Sequence, residues 1–194
     1  MERSMGKDLK KQFENNRQLV LDTTSRLFTQ KGIMNTAFSD ISKECKLSKG
    51  TIYYYYPSKE HLIYEVTEYH FKQITDSLFA WIGDIEADLP AEEAFRSLFA
   101  SIFDTPDPCK LHICLLNEAV MGNEALKKRF FEKYSEWKTM IEVGLLKTGD
   151  HSPRIKQLTN AVMLILNGVI CMRVAGNIPA MIEDAYNLLA GLTN

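Results

Sequence analysis

The chain has 194 residues, of which 45% are apolar and 25% charged. That composition excludes disordered and fibrous classes, and the length is enough to bury a core without disulfide staples. The formal charge is −2 overall, but residues 1–60 hold 11 Lys and Arg against 7 Asp and Glu, while residues 61–194 hold 12 against 18. A basic head on an acidic body points to nucleic acid at one end.

Residues 1–12 are polar and basic and read as a mobile arm that can touch phosphate or a groove. From Asn15 to Lys31 the pattern becomes helical: Val20, Thr24, Leu27 and Phe28 share one face, and Gly32 is a suitable stop. A short helix is expected from about Ser39 to Cys45. Another follows, capped by Ser48 and ended by Pro57. Ser58 opens a long helix whose stripe runs Ile63, Val66, His70, Ile74, Leu78, Trp81 and Ile85, about 37 Å at 1.5 Å per residue. It looks like a connector.

Further helices are expected after Pro90, from about Cys109 to Val120, from Glu124 to Lys147, from Arg154 to Ala175, and after Pro179. Proline and glycine punctuate each junction. No stretch sustains period-two alternation, and the β propensity of Tyr53–Tyr56 is outweighed by the cap before it and the proline after it. The fold class expected is all-α, with about nine helices. The apolar run Ala161–Met172, broken by Asn167 and Gly168, falls short of the roughly 20 residues that span a bilayer. Cys45, Cys109, Cys114 and Cys171 make no C-x-x-C pair and no signal peptide precedes them, so a reducing cytoplasmic setting with no membrane partner is expected.

Two short helices joined around Lys46–Leu47, in the stretch SDISKECKLSKGTIYYYYP, have helix-turn-helix spacing. The second would enter a major groove N-terminus first. There Lys49 supplies charge, Gly50 allows close backbone approach, and Thr51 can meet a base edge or a thymine methyl group. Four consecutive tyrosines sweep right round a helix, so some phenols must face outward, within reach of phosphate. Lys59 at a helix start opposes the helix dipole, and a phosphate partner would rationalise it.

The segment Gly32–Leu62, with the core Ser48-Lys49-Gly50-Thr51-Ile52-Tyr53, then Tyr55-Tyr56 and Ser58-Lys59-Glu60-His61-Leu62, resembles the DNA-binding domain of the tetracycline-repressor (TetR) family. The resemblance covers roughly the first third of the chain. It implies a three-helix helix-turn-helix domain over residues 1–62 and a helical ligand-binding and dimerisation domain over 63–194. It implies base contacts from Lys49, Gly50 and Thr51, and phosphate contacts from Thr36, Ser48, Tyr53, Tyr54, Tyr55 and Lys59. The partners implied are a palindromic double-stranded operator, a second copy of the chain, and a small-molecule effector that releases the DNA; no cofactor and no catalysis are expected.

Several positions depart from the family pattern. Ala37 stands where a Thr or Ser cap is usual, leaving Thr36 or Ser39 to serve. Ser42 replaces a usual alanine. Lys46 sits where glycine is common and costs about 1–2 kcal/mol if that position needs a left-handed backbone. Tyr56 stands where phenylalanine is common, so its phenol needs a partner or water.

In the body, Phe71, Trp81, Phe95, Phe99, Phe103, Phe130, Phe131, Tyr134, Trp137 and Met140 can line an apolar cavity or fill a core. His70 and Asn117 stand out as polar residues among apolar neighbours that could orient a ligand. The expected ligand set is His70, Phe71, Trp81, Phe99, Phe103, Asn117, Trp137 and Met140. The last two helices, apolar nearly all round, suggest a four-helix bundle with a symmetry mate through Val162, Leu166, Val169, Ile170, Ile182 and Leu189. Alternatives are a nonspecific architectural DNA binder, a metal or thiol sensor built on Cys109, His112 and Cys114, a protein-interaction adaptor that has lost DNA binding, and a helical enzyme. The Cys/His cluster lacks regular four-ligand zinc spacing, and no phosphate loop, H-E-x-x-H or nucleophile motif is present to support an enzyme.

Overall fold

The structure is a computed structural model that describes residues 2–86, 89–103, 106–149, 153–176 and 179–191, excepting the side chains of residues 2–9, 91, 103, 106–107, 179–180, 186 and 190. Nine helices are formed among the described residues: α1 Glu2–Lys31, α2 Phe38–Cys45, α3 Lys49–Tyr55, α4 Lys59–Asp84, α5 Ala91–Phe103, α6 Pro106–Val120, α7 Glu124–Lys147, α8 Ile155–Ala175 and α9 Pro179–Gly191. The protein is all-α, as its periodicity predicts.

The differences from expectation lie at helix ends. The backbone is helical from Glu2, where an arm is expected over residues 1–12. That stretch contains no proline, and half of it, Glu2, Lys7, Leu9, Lys10, Lys11 and Gln12, consists of good helix formers. Helix α6 starts at Pro106 rather than near Cys109, because proline is tolerated in a first turn, where the N–H would be orphaned anyway.

The chain forms two compact units, Met1–Tyr69 and His70–Asn194. The sequence places the boundary earlier, at 62/63. The start of α4 belongs with the first three helices for a physical reason. Ile63 and Val66 are buried, Glu65 pairs with Arg17 of α1, and the Tyr69 hydroxyl donates to Asp22 at 2.8 Å.

The first unit closes around Val20, Leu27 and Phe28 of α1, Ile41 and Cys45 of α2, Ile52 of α3, and Leu62 of α4. The Tyr56 phenol, which has to find a partner, donates to the Arg17 carbonyl at 3.4 Å. Burial pushes its pKa up to about 12.

In the second unit α6, α7 and α8 pack on one another, and α5 packs on α9. Trp81 donates from its indole to the Ala94 carbonyl and the Ser97 hydroxyl. Its ring lies over Gly144, where any Cβ would overlap it. Helix α8 is long and apolar enough, on length and composition alone, to cross a membrane, so the expectation that the apolar run is too short does not hold for the whole helix. Within the unit α8 behaves as a core helix, burying Leu158, Val162, Leu166 and Ile170.

That packing corrects the expected dimer residues. Val162, Leu166, Val169, Ile170, Ile182 and Leu189 are all buried inside the chain's own core. The apolar side chains that α8 and α9 turn outward are Leu164, Met172, Val174, Met181 and Leu188. An all-apolar helix feeds two surfaces, and composition alone cannot say which residue faces which.

Candidate functional site

The turn between α2 and α3 is held by local chemistry. Lys46 adopts the left-handed conformation, φ 55°, as the helix C-cap, so the cost expected for a non-glycine residue there is incurred. Ser42 offsets it: its hydroxyl donates to the Leu47 carbonyl at 2.6 Å, and the Leu47 N–H returns a bond to the Ser42 carbonyl at 3.2 Å. Ser48 then caps α3, its Oγ accepting from the Thr51 N–H at 3.0 Å. Neither Thr36 nor Ser39 caps α2. The Asp40 carboxylate instead accepts the Ala37 N–H at 3.1 Å, and that bond holds Asp40 below its ordinary pKa.

This frame exposes Ser48, Lys49 and Gly50 at the start of α3 while Ile52 anchors it in the core. A Cβ at Gly50 would meet only Ser48 Oγ, at 3.7 Å. The fold itself therefore does not demand glycine there, which fits a role in letting a partner approach. Thr51 is half-buried and shares a 2.8 Å hydroxyl contact with Ser48. Tyr54 is 75% exposed and Tyr53 50%, with Tyr53 set edge-on against Phe38. Tyr55 is half-buried, its ring 4.7 Å from Phe13 of α1.

Lys49, Tyr53 and Lys59 line one open cleft of about 590 Å³ with Met34 and Phe38. Lys59 is tethered to it by donating to the Met34 carbonyl at 3.2 Å. Thr36 is the exception among the expected phosphate contacts. It lines the same cleft but is buried, and its hydroxyl donates to the Gly32 carbonyl at 2.9 Å and lies 3.4 Å from the Leu27 carbonyl of α1, so its proton is spent inside the chain.

The second unit contains a file of polar side chains drawn from four helices. Asn167 of α8 donates from Nδ2 to the Met163 carbonyl at 2.8 Å. Its Oδ1 therefore accepts from the Tyr134 hydroxyl of α7, at 2.9 Å. The phenol oxygen faces Nε2 of His112 on α6 at 2.8 Å, and His112 Nδ1 faces Nε2 of His70 on α4 at 3.0 Å. Because the phenol proton is committed to Asn167, His112 must carry its proton on Nε2 and accept at Nδ1 from His70. The file thus runs in one direction and ends at His70 Nδ1, a buried acceptor with no hydrogen-bond partner. Burial drives the pKa of His112 down to about 4 and lowers that of His70, keeping both rings neutral.

His112, Tyr134 and Asn167 line a small cavity whose apolar walls include Ile74, Leu78, Trp137, Ile141 and Met163. Its free volume is about 30 Å³. Of the expected ligand residues, Trp137 lines this cavity. Trp81 lines a separate cleft of about 290 Å³ with Ser77 and Asp84. His70 supports the cavity through His112. Phe71 is buried against Phe130 and Trp137, and Phe99 is buried in the core. Met140 is half-buried and is not among the residues lining either space. Asn117 is exposed, so it does not orient a ligand in the cavity; its apolar sequence neighbours belong to the other faces of α6. Phe103 lies outside the residues whose side chains are described.

In the sequence Tyr134 reads only as an aromatic wall, His112 only as a neighbour of the cysteines, and Asn167 only as an interruption of an apolar run. A polar residue within an apolar helix was the available signal. Both ring nitrogens of His112 are engaged by His70 and Tyr134, and no cluster suited to a metal ion occurs among the described residues.

Comparison with known proteins bears on both units. Residues 20–66 match the family described as bacterial regulatory proteins, tetR family. The chain is 31% identical over 156 residues to the uncharacterized HTH-type transcriptional regulator YhgD of Bacillus subtilis, covering 77% of this chain and 79% of that one. It is 28% identical over 166 residues to the HTH-type transcriptional regulator LmrA of the same organism, covering 82% and 87%. Its fold is similar to that of a solved transcriptional regulator from Saccharomonospora viridis in complex with choline, with a TM-score of 0.76 over 92% of this chain and 95% of that one, at 19% identity.

Proposed function

The chain belongs to the tetR family of bacterial regulatory proteins and is a DNA-binding transcriptional regulator of the helix-turn-helix type, not an enzyme; from that premise we propose that it acts in the cytoplasm as a homodimeric repressor released from a palindromic operator by a small molecule. The observation that carries the DNA-binding geometry is the exposed start of α3, where Ser48 fixes the helix end and leaves Lys49 and Gly50 exposed, with Thr51 half-buried beside them. In this reading these three meet base edges in the major groove, and Tyr53, Tyr54, Tyr55 and Lys59 reach flanking phosphates.

The dimer forms through the outward apolar side chains of α8 and α9, giving a four-helix bundle with the second copy. One arrangement of the dimer spaces two α3 helices to match half-sites about 34–36 Å apart, or a multiple of that. The effector occupies the cavity beside His112, Tyr134 and Asn167. It shifts the population toward a second arrangement, and α4, which has residues in both units, carries the change. The shift is bounded by the ligand's difference in affinity for the two states.

The test is fluorescence anisotropy with DNA from upstream of the chain's own gene, against scrambled duplex, across a salt series. Binding at least about a thousandfold tighter than to scrambled DNA is expected. Equal affinity for both duplexes would favour a nonspecific architectural binder instead.

A further inference from the structure

We propose that the turn of α1 from Lys10 to Phe13 is part of the DNA-binding surface: Lys10 meets a phosphate of the duplex, and Phe13 is a positioning residue that sets Tyr54 for the phosphate beside it. The inference rests on the reading of Tyr54 as a phosphate contact and adds a second segment of the chain to that contact.

Helix α1 runs well ahead of its own core. Among the described side chains its first buried one is Val20. Before it, Lys10, Lys11, Gln12, Glu14 and Asn15 are exposed. A helical end that buries nothing gains little from tertiary packing. What docks this one is Phe13. Its ring centroid lies 4.7 Å from that of Tyr55 and 6.2 Å from that of Tyr54, edge-on to Tyr54 at 89°. The two tyrosine rings stand 5.6 Å apart. The three rings make one cluster, yet Phe13 is 38% and Tyr54 75% exposed. The cluster therefore sits at the surface, where Phe13 braces the Tyr54 ring from the side and limits the directions its phenol can take.

Lys10 stands three residues before Phe13, on the same side of the helix. Lys11 falls on the opposite side, about 160° round from Phe13. Arg17, one turn the other way, pairs with Glu65, so its charge is answered within the chain. Lys10 is exposed and has no ion-pair partner among the described residues. A free ammonium next to an outward phenol matches the oxygens of a phosphodiester: the phenol donates a hydrogen bond and the ammonium supplies the charge. The patch is continuous with the helix-turn-helix through Tyr54, so one duplex covers both. A contact of this kind strengthens binding without choosing a sequence.

The experiment is fluorescence anisotropy of the full chain on DNA from upstream of its own gene and on scrambled duplex, from about 50 to 200 mM salt. Lys10→Ala keeps the helix, because alanine is the best helix former. It is expected to weaken binding to both duplexes about tenfold, the worth of one charge-assisted hydrogen bond, and to lower the salt slope by about 0.9 for each copy bound. Lys11→Ala should leave affinity and slope close to those of the natural chain. Phe13→Ala should weaken binding while leaving the slope, and that loss should vanish in a Tyr54→Phe background, which lacks the hydroxyl that Phe13 aims. If Lys10→Ala binds like the natural chain while Lys59→Ala lowers the slope, the α1 contact is overturned and the docking of the helix-turn-helix stands. If neither lysine variant changes the slope, both are overturned. Equal losses from Lys10→Ala and Lys11→Ala overturn the oriented face, since a diffuse basic arm responds that way. Tyr54→Phe without loss overturns the Tyr54 contact itself, and a Phe13→Ala loss that persists in full in the Tyr54→Phe background overturns the positioning role.

Discussion

Lys49, Thr51 and Tyr54 stand close together in sequence and near or at the surface of the first unit, whereas His70, His112, Tyr134 and Asn167 of the second unit come from four helices and turn inward. The first set has few internal partners. It stays hydrated until a phosphate or base edge replaces the water, so little desolvation is incurred in the free protein. In the second set His70 and His112 are buried and Tyr134 and Asn167 half-buried, and each side chain is hydrogen-bonded to the next. The first set belongs to a surface built to meet something outside. The second binds four helices into one unit.

The contrast can be broken most strongly with acid. His112 has its pKa depressed from its ordinary value of 6.5 to about 4, so the unfolded chain takes up a proton before the folded one does. The stability conferred by the neutral ring is complete above about pH 6.5 and is lost as pH falls toward 4, where the folded form also protonates. At about 1.4 kcal/mol per pKa unit this amounts to roughly 3 kcal/mol. Urea unfolding followed by tryptophan fluorescence reads this unit, because Trp81 and Trp137 both lie in it. His112→Gln should reduce the dependence, leaving the part of the same sign that buried His70 supplies; an unchanged pH profile would show that His112 is not neutral and buried.

Gly144→Ala comes next. Its new methyl must displace the Trp81 ring, and overpacking of this kind costs about 1–3 kcal/mol. The midpoint of the urea transition reports it. A variant as stable as the natural chain would mean that Trp81 is not seated over α7.

In the first unit the expected effects are smaller. Ser48→Ala removes the cap of α3 and should cost about 1 kcal/mol. Restoration by Ser48→Asp, measured in the same denaturation experiment, separates capping from other causes. Smallest in free energy is Lys59→Ala, which should weaken binding to all DNA sequences alike and lower the salt slope by about 1. Thr51→Ala should instead change which bases are preferred, read by anisotropy on a set of single-substitution duplexes. If both variants behaved alike, the division between base reading and phosphate anchoring at α3 would be wrong.

The helix-turn-helix was legible because its determinants are local. Ser48 caps the turn that follows it, Pro57 stops that helix, and Ile41, Cys45 and Ile52 fall at helical spacing on the inner face. Even there, the burial of Thr36 is not legible. Whether a threonine hydroxyl faces solvent or the Gly32 carbonyl depends on how the loop folds back on α1, and nothing in the neighbouring residues states it.

What the sequence determined by itself was the all-helical class, the helix boundaries to within a turn except where α1 extends to Glu2, and the exposed start of α3. All three follow from propensity, capping and a 3.6-residue period, which act between residues a few positions apart. The tertiary structure alone decided which apolar residues of α8 and α9 face inward. It also decided that Asn117 is exposed while Asn167 is engaged, and that two histidines 42 positions apart share a hydrogen bond. Such pairings depend on the rotation and stacking of whole helices, and a helix of uniform apolar composition carries no local mark of the side on which its partner will lie.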